Sequence, residues 1–383
     1  MRSRSNSLSN ASSFIPDESY LDLVATNQEY LGLSAEGKAR IAVFRAFSED
    51  PKPLLKYSIR AVIGFGSNGV ILGGIFDNVT PVAIKIIYKS LSLQKSSQVP
   101  NEIEVLRYLI FTTNYDTNAS ILEYIDDWQD SNHFYLVTKL FGSDWLSNSL
   151  SPVEKLPQFE ITIKHKKTAK KISLPFSAGS SDLYAWSYAR RVHEWKMSQY
   201  MRATLPIHRI KQIIKQVASS LARLHSRGFY HGDVKLENVL ARKKIQGGGV
   251  ETCLADFGHT RHVISGITHY GTQEFTPPEF LYGTPYLFKY LDGRASDVFA
   301  LGMMMYLLLS KNGKSPRVSC MANAGLIVFE DLAKHGDGFY PFDHLDTIDE
   351  NGQTLLDGMC MVEPGRRFKI EQVLNHGWIS EMV

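Results

Sequence analysis

Cysteine is nearly absent from this chain. The three present, Cys253, Cys320 and Cys360, are odd in number, far apart and never arranged as C-x-x-C. That excludes a disulfide framework and a paired-thiolate zinc site, and it fits a reducing, intracellular compartment, cytoplasmic or nuclear. Long apolar runs are missing too: no segment approaches the ~18 uninterrupted apolar residues of a membrane-spanning helix. The opening MRSRSNSLSNASSF carries arginines with no apolar run behind them, so no leader is expected. Strong net charge is also lacking. With 42 Lys and Arg against 39 Asp and Glu, the net charge of +3 makes no general case for nucleic acid or membrane as a partner. What is present is a globular composition, 44% hydrophobic and 21% charged over 383 residues, enough for one large or two modest cores.

Along the chain, residues 1–15 are Ser/Asn-rich and read as a disordered tail. Residues 16–56 carry helical patterning, broken by EDPKP, and read as an extension resting on a domain that starts near Tyr57. Short apolar runs follow, SIRAVIGF, GVILGGIF, TPVAIKII, ILEYI and FYLVTKLF, each a strand candidate, with a helical NEIEVLRYLIF among them. After about residue 205 the period changes. Ile210, Ile213, Ile214, Val217, Leu221 and Leu224 recur at helical spacing, and Gly228 supplies the stop.

GFGSNGVI places Gly64, Gly66 and Gly69 between two strand candidates, where missing Cβ atoms let backbone N–H groups approach anionic oxygens. Taken alone, the motif also fits a plain glycine hairpin turn. A dinucleotide-binding version would open a helix, whereas VILGGIF continues as strand, so that reading loses. VAIK puts Lys85 on the next strand, and Glu102 heads a helix. A Lys–Glu pair can hold an ammonium toward nucleotide phosphates.

With YHGDVKLENVL (Asp233, Lys235, Asn238), LADFG (Asp256), GTQEFTPPEF (Glu279), SDVFALG (Asp297) and EPGRRF (Arg367) following in order, the chain resembles a eukaryotic-type serine/threonine protein kinase from Tyr57 to the C-terminus. In motif detail it is most similar to calcium/calmodulin-dependent and PAS-kinase-like members. The resemblance implies an α+β, bilobal fold: a small β-rich N-lobe (57–138), a hinge (139–142), an insertion (about 146–205) and a large α-helical C-lobe (206–383). It implies ATP with Mg2+, or Mn2+ as the alternative ion, and a protein substrate. Asp233 would accept or orient the substrate hydroxyl proton, Lys235 would meet the migrating phosphoryl group, and Asn238 and Asp256 would hold metal. Lys85 and Glu102 would anchor the phosphates. Gly64, Gly66, Gly69, Ile71, Ala83, Thr138, Lys139, Phe141 and Leu240 would surround the nucleotide, although Ile71, Ala83 and Leu240 fit ordinary core equally. Thr272 matches the family's threonine near the substrate, and Glu237 a position that meets a basic residue of some substrates. Glu279 and Arg367 would form a buried structural ion pair.

Two departures stand out. Gly232 occupies the place of the family's H-R-D arginine, whose partner is commonly a phosphate on the activation segment; a kinase competent without that phosphorylation is the expectation, although Thr260, Ser265, Thr268 and Tyr270 offer hydroxyls there. The insertion reads as a protruding β-hairpin around FEITIKHKKTAKKISLPF, then a helix capped by Asp182. Its excess of Lys and Arg, with aromatics interleaved, could dock a partner or simply keep a turn wet. The alternative to catalysis is a nucleotide-binding pseudokinase or scaffold acting through that insertion.

Overall fold

The computed structural model describes residues 32–48, 53–89, 99–111, 121–141, 161–164, 171–175, 182–189, 205–243, 249–267, 271–282, 291–310, 345 and 348–380. The chain divides into two compact units. Most of the Ser-rich tail and extension (1–31), Gly142 of the expected hinge, much of the insertion, and Thr268 and Tyr270 lie outside the described residues.

The first unit is built on a five-stranded antiparallel sheet in the order β1-β2-β3-β5-β4. The strands are β1 (Tyr57–Phe65), β2 (Gly69–Phe76), β3 (Thr80–Tyr88), β4 (Tyr124–Gln129) and β5 (His133–Lys139). β1 to β3 and β5 follow the apolar runs closely. β4 does not: it starts at the end of ILEYI and runs on through Asp126 and Asp127, while Ile121 belongs to the second unit and bridges there to Leu254. As an edge strand β4 needs no apolar alternation; the Tyr57 hydroxyl donates to Asp126 at 3.1 Å, and Trp128 stacks on Tyr135 at 4.7 Å.

The two faces of this sheet differ. Val82, Ile84, Ile86 and Val137 are fully buried on one of them. Against it packs helix α1 (Ala35–Ser48), whose Ala39, Ala42, Val43, Ala46 and Phe47 form a stripe of mostly small residues that lets the helix approach closely. Ser34 caps α1 by accepting from the Gly37 N–H at 3.1 Å. The extension therefore supplies core.

The hairpin of the insertion is present as β6 (Ile161–Lys164) and β7 (Lys171–Leu174), paired antiparallel, but it is docked where the sequence suggested protrusion. Leu174 joins the same core, and the carbonyl of Pro175 accepts from Val62 N at 3.0 Å. The reason is the edge. β1 is the outer strand of the sheet, and an N–H on its open side at a bulge needs a partner.

The second unit is organised by helix α3 (Ile207–Ser226). All six apolar residues read from its period are buried, and Gly228, at φ +80°, ends it. Helix α2 (Asn101–Phe111) matches NEIEVLRYLIF residue for residue. Two short ladders follow, β8 (Phe229–Tyr230) with β11 (Arg261–His262) and β9 (Val239–Lys243) with β10 (Val250–Leu254). Helix α4 (Gly293–Leu309) is buried on nearly every side and packs on α3. In the helical residues 183–189, Asp182 caps as expected, accepting from the Ala185 N–H at 2.7 Å.

Arg367 and Glu279 meet in two parallel bonds of 2.9 Å, and Arg367 also donates to the carbonyls of Met361 and Ala295. With every partner satisfied, this buried pair is structural. Glu279→Gln sets an amide N–H2 against one guanidinium donor, so urea unfolding is expected to show a loss of roughly 1–3 kcal/mol.

Candidate active site

The loop after β8 is held by its backbone. Asp297 of α4 is fully buried; its carboxylate accepts from His231 N at 2.6 Å, Gly232 N at 2.9 Å and His225 Nε2 at 2.9 Å. The His231 ring accepts at Nδ1 from Asp233 N (3.3 Å) and donates from Nε2 to the Ala255 carbonyl (3.0 Å), which fixes its tautomer. Gly232 has φ +80°, and a Cβ there would lie 2.7 Å from the His259 carbonyl oxygen. The geometry favours glycine at this position on two counts.

This scaffold presents Asp233. One carboxylate oxygen accepts from Thr272 Oγ1 at 2.8 Å; the other meets Lys235 Nζ at 2.8 Å and Asn238 Nδ2 at 2.9 Å. Lys235 also donates to Thr272 Oγ1 at 2.8 Å, closing a triangle. Burial by itself would raise the Asp233 pKa, but the bonds from Lys235, Thr272 and Asn238, with the lysine's charge, outweigh it and hold the group below the usual carboxylate range. Asp233 is a preformed carboxylate.

Asn238 spends its amide nitrogen on Asp233, leaving its side-chain oxygen as the atom to offer a cation. Its backbone carbonyl accepts from Ala255 N at 2.9 Å, which ties the exit of β10 to the loop just before Asp256. Asp256 sits at φ 59°, ψ 73°, left-handed backbone that aspartate tolerates better than most residues. Side-chain oxygens of this kind could hold a hard cation such as Mg2+, which keeps much of its shell for phosphate and water. Among the described residues no group of three or more His, Cys, Asp or Glu could hold a metal.

In the first unit, strand register gathers the other residues. Ile71 is opposite Lys85 and Ala83 opposite Thr138, and directly opposed residues share a face, so all four lie on the sheet face away from α1. Lys139 points to the other face, at an exposed position. Gly66 N donates to Gly69 O at 2.9 Å, closing a tight turn at Ser67 and Asn68. A Cβ on Gly69 would lie 2.6 Å from the Ile86 carbonyl oxygen, so that glycine is demanded by the sheet itself; Gly66 has no heavy atom within 4 Å of its would-be Cβ and leaves room for a ligand. Gly64 meets only the Ile71 side chain. In the second unit, Glu102 is buried in the first turn of α2, Leu240 is half-buried on β9, and the face of Phe141 is covered by the Arg242 guanidinium at 4.5 Å.

Two participants escaped the sequence reading. Asp297 was visible only as part of a motif, without its grip on the loop. Gly271 was not singled out, yet a Cβ there would fall 2.2 Å from the Asp233 carboxylate; its one sequence signal is its place immediately before Thr272.

Comparison with known proteins gives the family. Residues 180–379 match the protein kinase domain model, over half the chain, and the chain belongs to that family. It is 23% identical over 308 residues to serine/threonine-protein kinase PSK2 of Saccharomyces cerevisiae, covering 78% of this chain and 21% of PSK2. To calcium/calmodulin-dependent protein kinase type 1 of Macrobrachium nipponense it is 27% identical over 331 residues, 85% of this chain and 75% of that protein. To calcium/calmodulin-dependent protein kinase type II of Caenorhabditis elegans it is 30% identical over 177 residues, 43% of this chain and 22% of the relative. The chain thus spans about a fifth of PSK2 and three quarters of the type 1 kinase. No helix among the described residues is long and apolar enough to cross a membrane.

Proposed function

We propose that this chain is a serine/threonine protein kinase, moving the γ-phosphate of ATP to protein hydroxyls without needing a phosphorylated activation segment. The observation that carries the reading is the Asp233 carboxylate, ionised and aimed by Lys235, Thr272 and Asn238. Asp233 orients the acceptor hydroxyl and receives its proton, while Lys235 neutralises charge on the group in transit. Asn238 and Asp256 would hold Mg2+, which when bound would neutralise phosphate charge. Lys85 is the residue for gripping the phosphates, Glu102 matches the acid that the family resemblance assigns beside such a lysine, and Gly64, Gly66 and Gly69 let the backbone approach the phosphates. Ile71, Ala83 and Thr138, together on one sheet face, are the first unit's side chains for the base; Lys139, whose side chain leaves that face, has only its backbone to offer, and Phe141 and Leu240 are the second unit's matching family positions.

Independence from phosphorylation is supported by how the segment is already tied down. β11 pairs with β8, the Tyr230 hydroxyl donates to Gly266 O at 3.0 Å, and Gly271 N donates to Gly232 O at 2.9 Å. None of these bonds uses a phosphate. Of the candidate hydroxyls, Ser265 is exposed, whereas Thr260 is 1% exposed and bonded, against the expectation of a surface group. Phosphatase-treated protein carrying Ser265→Ala, Thr268→Ala and Tyr270→Phe is expected to keep turnover within about threefold of wild type, since the β8–β11 ladder and the Tyr230–Gly266 and Gly271–Gly232 bonds that tie the segment down use other groups. A loss of a hundredfold or more in steady-state phosphate transfer would contradict autonomy. Glu237 is exposed beside the loop and suits a substrate with basic residues near the phosphosite, a preference that a peptide array reads directly.

A further inference from the structure

The same segment poses a mechanical question. A helix carrying Glu102 must be held in place for the phosphate grip, and the arginine that the resemblance pairs with an activation-segment phosphate is absent here. The structure offers a neutral substitute. Thr260, only 1% exposed, donates from its hydroxyl to the carbonyl of His231 at 3.3 Å, on the loop that carries Asp233. The carbonyl of Thr260 accepts from Asn101 Nδ2 at 3.3 Å, at the first residue of α2, and from Arg261 Nη1 at 2.8 Å. His231 N in turn donates to the buried Asp297. One line of hydrogen bonds therefore runs from the start of α2 through Thr260 to the catalytic loop and into α4.

Glycine makes the approach feasible. A Cβ at position 232 would meet the His259 carbonyl oxygen at 2.7 Å, so a side chain there would push residues 259–260 away from the loop. Glycine at the position where the resemblance expects arginine leaves room for the Thr260 contact with the loop.

We propose that Thr260 is a positioning residue, latching the first turn of α2, and with it Glu102, to the catalytic loop through bonds to Asn101 and His231. This rests on the kinase reading above and specifies how the site is held active. The effect is modest for each bond, because both run at 3.3 Å.

The test uses the full chain after phosphatase treatment, as wild type, Thr260→Val, Thr260→Ser, Asn101→Leu and, as a control, Thr252→Val, a second buried threonine hydrogen-bonded to Gln216 on another ladder. Thr260→Val and Asn101→Leu should each lower kcat about fivefold, the scale of one lost hydrogen bond. Thr260→Ser should restore kcat, and Thr252→Val should leave it unchanged. Amide exchange over residues 102–108 should quicken in Thr260→Val and Asn101→Leu and not in Thr260→Ser. Exchange that is the same in all variants, or a serine variant as impaired as the valine one, overturns the latch. If wild type transfers no phosphate, the kinase reading fails while the exchange measurement still decides the latch.

Discussion

Asp233→Asn is expected to lower phosphate-transfer turnover by about a hundredfold to ten-thousandfold, the range associated with a lost general base. The replacement is nearly isosteric, so the loss is chemical. An amide accepts no proton from a hydroxyl, and its N–H2 faces either Thr272 or the pair of donors Lys235 and Asn238. The pH dependence follows from the same contacts. Because the folded pKa of Asp233 is depressed, the carboxylate is ionised through the neutral range, and the acid limb of the kcat profile should fall below the ordinary carboxylate range. The stability it contributes is present above the unfolded pKa and is lost as pH falls through the folded one. Steady-state assays across pH, with thermal melts of both proteins, check both statements. A retained turnover within tenfold of wild type would remove Asp233 from the chemistry.

Asp297→Ala is the second large effect, and it acts through the scaffold. The substitution strands three buried donors, the N–H groups of His231 and Gly232 and the Nε2 of His225, none of which gains a substitute from a methyl group. Leaving buried donors unpaired costs about 1–3 kcal/mol each, so a total of roughly 3–9 kcal/mol is expected in urea unfolding, with activity lost even in the folded fraction. Asp297→Asn keeps one acceptor oxygen and should be intermediate. A variant with alanine that unfolds at the wild-type midpoint would show the loop to be held by other means.

The parts of the molecule legible in the sequence are those with a local signature. Period alone placed α2 and α3, and glycines marked the turn at Gly66 to Gly69 and the stop at Gly228. The polar set Asp233, Lys235 and Asn238 could be read because its members sit within one loop. What escaped was long-range. That Thr272 closes a triangle with Asp233 and Lys235 depends on a segment nearly forty residues away folding back, and nothing in the local pattern fixes that return. The hairpin's docking was missed for the same kind of reason: its alternation is satisfied equally in solvent-flanked and docked forms, and only the open edge of β1 decides. Thr260 looked like any loop hydroxyl until its burial was known.

The central claim is that the carboxylate of Asp233, held by its three donors, directs phosphoryl transfer to a hydroxyl. It is tested most directly by incubating the purified, phosphatase-treated chain with γ-labelled ATP, Mg2+ and a generic basic protein, and locating the label by mass spectrometry. The account predicts phosphoserine and phosphothreonine on the acceptor from wild type and none from Asp233→Asn. Equal labelling by the two proteins, or tight nucleotide binding with no transfer by wild type, would contradict it and leave a nucleotide-binding scaffold.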